Sequence, residues 1–67
     1  MNKNLLRSFM ALHGDTNKTL ADYLQISEKS IGDKINENNT EFKQSEIKAI
    51  SDRYDLSHEQ TCTIFFN

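Results

Sequence analysis

Residues of the types that most often carry reactions are sparse in this sequence. It has one cysteine, Cys62, and two histidines, His13 and His58. No two carboxylates are framed as acid and base, and no glycine-rich loop is present to cradle a phosphate. A nucleophilic thiol needs a base and an orienting group converging on it, and the surroundings of neither histidine supply both. A tetrahedral metal needs more ligands at matched spacing than these side chains offer. The sequence is therefore expected to hold no catalytic residue, no metal and no cofactor. It does offer a run of mixed hydrogen-bonding side chains, Ser27, Glu28, Lys29, Ser30, Asp33 and Lys34, broken at a spacing of four by Ile31 and Ile35. With the isoleucines turned inward, the others form an outward ridge of donors and acceptors, suited to meeting another polar surface rather than to breaking bonds.

The stretch that must position this ridge is Thr16 to Asn36. Leu20 and Leu24 are four apart, as are Ile31 and Ile35, so each pair stacks on one side of its own short helix. Ile26 lies between the pairs, where the chain turns. Thr16 suits the N-cap of the first helix and Ser27 that of the second, because each hydroxyl can accept from an orphaned backbone N–H. Small Ala21 allows the two helices to approach closely at a steep crossing, which is the physical content of a helix-turn-helix. Gly32, inside the second helix, costs about 1 kcal/mol relative to Ala.

Around this pair the chain reads as three further helices. The first is predicted over about Asn4 to His13, with Leu5, Leu6, Phe9, Met10 and Leu12 as its apolar face and Gly14 in the left-handed position that ends it. Glu37 to Lys43 is polar and asparagine-rich, a loop in which Phe42 alone is expected to plug the core. A fourth helix is predicted from about Gln44 to Tyr54 through the spacing of Ile47, Ile50 and Tyr54. Ser57 and Gln60 form a capping box for a fifth, from about His58 to Phe65, although the β-branched and aromatic run Thr61 to Phe66 equally suits a strand. Phe65 and Phe66 either close the core over the first helix or form a dimer patch. At 67 residues with a lone cysteine, the chain allows one domain with one small core and no internal disulfide. It has no apolar run long enough to span a membrane and no secretory pattern, which points to the cytoplasm.

Several motifs together resemble a known family. The run Leu20-Ala21-x-x-Leu24-x-Ile26-Ser27-x-x-x-Ile31 is similar to the helix-turn-helix of Cro/repressor-type (XRE-like) DNA-binding proteins of phages and mobile elements. The run Glu41-Phe42-x-x-x-Glu46-Ile47-x-x-Ile50, with Tyr54-x-Leu56-Ser57 and Ile64-Phe65-Phe66, looks like a small phage-encoded branch of that family from Gram-positive bacteria. The likeness covers nearly the whole chain. It departs at Gln25, where the family usually has Gly at the corner, so a non-Gly residue is expected in a left-handed conformation.

The resemblance implies an all-α fold of five short helices, one helix-turn-helix domain over residues 1–67 with its motif at about 16–36. It further implies a sequence-specific transcriptional regulator acting by occupancy of an operator in double-stranded DNA, commonly as a homodimer across a palindrome. Carried over by position, Glu28, Lys29, Ser30 and Asp33 would meet base edges: Lys29 at guanine O6 and N7, Glu28 at cytosine N4, Ser30 at several bases. Lys34, Asn38, Asn39 and Lys43 would hold phosphates, and so would Thr16, Asn17 and Lys18 at a helix N-terminus. Charge pulls the other way. The net charge is −2, and between Ser27 and Lys43 three lysines face Glu28, Asp33, Glu37 and Glu41. That balance suits an alternative, a helix-turn-helix interaction module that modulates a phage repressor or another regulator without reading DNA.

Overall fold

The computed structural model describes residues 1–66, which form five helices: α1 (Lys3–Leu12), α2 (Asn17–Leu24), α3 (Glu28–Ile35), α4 (Gln44–Tyr54) and α5 (His58–Phe65). There is no strand among the described residues. Capping chemistry sets most boundaries. Asn2 Oδ1 accepts from the Leu5 N–H at 3.1 Å, so α1 starts one residue earlier than predicted. It also ends one residue earlier, and Gly14 turns the chain at φ +73°.

Thr16 and Thr19 cap α2 reciprocally: Thr16 Oγ1 accepts from the Thr19 N–H at 3.2 Å, and Thr19 Oγ1 accepts from the Thr16 N–H at 2.8 Å. Ser27 Oγ accepts from the Ser30 N–H at 3.0 Å to open α3. The strand alternative for Thr61 to Phe66 falls to the same physics. Ser57 and Gln60 satisfy two orphan donors at 3.0 and 2.8 Å, and the helix they nucleate turns Ile64 fully inward.

Leu6, Leu20, Ile31, Ile35, Ile50 and Ile64 are fully buried, joined by Met10, Ala21 and Tyr54. All five helices contribute to this one core. Leu12 does not: two residues beyond Met10 it faces away, 76% exposed, against the expectation that it completes the apolar face of α1. Leu24 and Phe42 lie half-buried at the core margin. Phe65 closes edge-on against Phe42 with ring centroids 5.6 Å apart, whereas Phe66 remains 58% exposed.

A polar clamp fixes the α1–α2 corner to the end of α4. Arg53 donates through Nε and Nη2 to both carboxylate oxygens of Asp15 at 2.7 Å, and the Tyr54 hydroxyl donates to the same carboxylate at 2.7 Å. The Asp15 side chain is only 3% exposed. The Arg53 guanidinium beside it, with Tyr54 and Thr19, holds its carboxyl well below the usual range despite burial. Burial and the adjoining Asp15 push the Tyr54 hydroxyl up. Arg53 also lies over the Tyr23 ring, 4.5 Å from its centroid, and His13 stacks on Tyr54 at 4.8 Å.

Candidate functional site

Helix α3 is presented by a corner of three residues. Gln25 takes the left-handed conformation, φ 59° and ψ 41°, as expected of the residue at the usual glycine position. The Ile26 N–H then returns to the Ala21 carbonyl at 3.0 Å, closing the end of α2. Beyond the corner α3 packs mainly on α2, and Ile31 and Ile35 are both fully buried.

That anchoring leaves Glu28 and Lys29 in solvent, with Ser30, Gly32 and Asp33 partly exposed beside them. The Lys29 side chain is 85% exposed, and its Nζ lies 3.0 Å from Asp33 Oδ2. Lys29 holds the Asp33 carboxyl below its ordinary value, with a smaller contribution from Asn38. Ser30 is partly committed, since its Oγ accepts from Ser27 Oγ at 3.0 Å. A Cβ placed on Gly32 would meet nothing within 4 Å. The fold itself therefore has no steric need for glycine there.

The expectation that Lys34 faces outward to a phosphate is corrected. Lys34 is buried, 8% exposed, with its Nζ 2.8 Å from Glu46 Oε1 and 3.5 Å from the Glu41 carbonyl. At 100° per residue, position 34 lies beside the stripe of positions 31 and 35, so its long stem follows the core to the first turn of α4. Glu46 also accepts from the Lys43 N–H at 2.8 Å. Burial alone would raise the Glu46 pKa; the hydrogen bond from Lys34, the Lys43 N–H and both lysine charges outweigh it and hold it lowered.

The remaining phosphate candidates are dispersed. The Thr16 hydroxyl and N–H are both used in its cap, Asn17 is half-buried, and Lys18 pairs with Asp22 at 3.4 Å. These three stand at the far end of α2 from the corner, about 12 Å away along the helix. Asn38, Asn39 and Lys43 are exposed in the loop after α3, which Glu37 (φ 57°) and Asn39 (φ 60°) bend through left-handed conformations. The structure thus gathers Glu28, Lys29, Ser30, Asp33 and Asn38 at α3 and leaves Thr16, Asn17 and Lys18 apart.

Sequence reasoning did not find Asp15, Arg53 and Glu46, the groups that fix the frame; their partners are too distant in the chain for spacing to reveal. Elsewhere, Cys62 Sγ lies 3.6 Å from His58 Nε2 on α5. Among the described residues no three metal-ligating side chains cluster, and no helix is long and apolar enough to cross a membrane. Comparison of the chain with protein-family models, curated proteins and solved structures returned no match.

Proposed function

We propose that the chain is a Cro/repressor-like, sequence-specific DNA-binding regulator in which α2 and α3 act as a helix-turn-helix. In this reading α3 lies in the major groove and blocks or competes for an operator, in the cytoplasm of a host that carries the phage or mobile element. One observation carries it: α3 spends its isoleucines on the core and keeps a continuous outer face of Glu28, Lys29, Ser30 and Asp33 around an unencumbered Gly32. Such a face at the start of a helix offers donors and acceptors to base edges. Few free cations flank it, so a single copy binds weakly and two copies across a palindrome supply the affinity.

Fluorescence anisotropy against the DNA upstream of its own coding sequence, at two salt concentrations, tests this. The expected result is saturable binding that weakens with salt. Negligible binding at both concentrations favours the second reading, a protein-interaction module. A specific observation supports that alternative: with Lys34 buried on Glu46 and Lys29 paired with Asp33, no unpaired lysine remains on α3.

A further inference from the structure

Resting on the DNA-binding reading, we infer that Lys29 and Asp33 act as one unit that reads a single G·C base pair, donor and acceptor side by side. Their charged atoms are 3.0 Å apart on the exposed face of α3. In the major groove a G·C pair presents the guanine O6 acceptor and the cytosine N4 donor, themselves joined by a hydrogen bond of about 2.9 Å. The two spacings match, so the ammonium sits over O6 while the carboxylate sits over N4–H. An ammonium has three donors; one holds Asp33 and two remain for the base.

An A·T pair has a donor and an acceptor at similar spacing, but its neighbours are wrong. Beside thymine O4 stands a methyl group, which offers the ammonium nothing, and beside adenine N6 stands the N7 acceptor, which repels a carboxylate. Beside guanine O6 stands N7, a second acceptor for the ammonium. The pair is therefore selective for G·C and for its orientation. Gly32, one residue before Asp33 and with open space where a Cβ would project, lets the base-pair edge approach the unit closely. Because the unit is neutral overall, it gives specificity without the basic face that this chain lacks.

The experiment is selection of bound duplexes from a randomised library by the native chain, by D33N and by the exchanged double variant K29D/D33K, followed by anisotropy on the selected sites. The exchange keeps an i, i+4 pair and places the acid nearer the helix N-terminus and the base nearer its C-terminus, so α3 is expected to fold at least as well. Circular dichroism checks this. The native chain is expected to fix one G·C pair whose replacement by A·T weakens binding roughly tenfold or more. D33N should relax that position, and the exchanged variant should prefer the same position inverted to C·G. A native site whose preference is unchanged in both variants, or complete loss of binding by a folded exchanged variant, overturns the inference while leaving DNA binding intact. A library in which the native chain enriches no sequence overturns the DNA-binding reading itself.

Discussion

Lys34 and Glu46 show how much a single side chain's direction decides. Their ion pair at 2.8 Å is nearly closed to water, so Glu46→Ala strands a buried ammonium and is expected to destabilise the chain by about 3–5 kcal/mol. Replacing both by apolar residues of similar volume, Lys34→Met with Glu46→Leu, is expected to restore most of that stability, read by urea unfolding. On the DNA-binding reading, affinity should survive the double replacement, because Lys34 and Glu46 are buried against each other. Had Lys34 been a phosphate contact, affinity would fall uniformly across sequences. The inward turn of Lys34 was not legible beforehand: a lysine within a polar run reads as solvated, and its partner lies 12 residues on. Lys29 and Asp33 were legible as outward, because helical period alone places them opposite Ile31 and Ile35.

At the scale of helices, local chemistry determined most of what was read correctly. Hydroxyl caps at Thr16, Ser27 and Ser57 announce three N-termini; the predicted bounds of α5 match the structure because cap and apolar stripe agree, and those of α4 match on its apolar stripe alone, since Lys43 gives it no side-chain cap. Leu12 was misassigned because an apolar residue near a helix end fits a generous stripe whether or not anything packs on it. Leu24, though correctly spaced, is only half-buried, so the larger cavity cost shifts to fully buried Leu20. Leu20→Ala is expected to cost about 2–5 kcal/mol, more than Leu24→Ala, in parallel denaturation. Gly32→Ala separates stability from binding. With open space at the Cβ position it should raise stability by about 1 kcal/mol. If DNA comes close there, the same variant should bind its site more weakly despite melting at a higher temperature.

For the molecule as a whole, the acid response follows mainly from the two shielded members of its three depressed carboxyls, since the third, Asp33, is paired at the surface where water screens it. Asp15 and Glu46 have lower pKa values in the fold than their ordinary 3.8 and 4.5. Their contribution is complete above about pH 5 and declines as acid drives the pH through and below those ordinary values. Tyr54 acts with the opposite sign, its contribution being lost as pH rises beyond its ordinary 10.0. Stability measured across pH should therefore show a plateau with a steep acid limb. Asp15→Asn should lower the plateau by about 2–3 kcal/mol and flatten that limb. Tertiary arrangement was the least legible level, since no short-range pattern in the sequence pairs Asp15 with an arginine and a tyrosine near residue 54.

The same clamp bears on how the chain matures during translation. Asp15, the α2 caps and the corner that aims α3 all leave the ribosome well before Arg53 and Tyr54, the groups that neutralise and seat that carboxylate. A nascent chain whose Arg53 has not yet left the ribosome therefore carries its two central helices without their keystone, and should remain open to protease until the last turn of α4 and then α5, with the buried Ile64, have emerged.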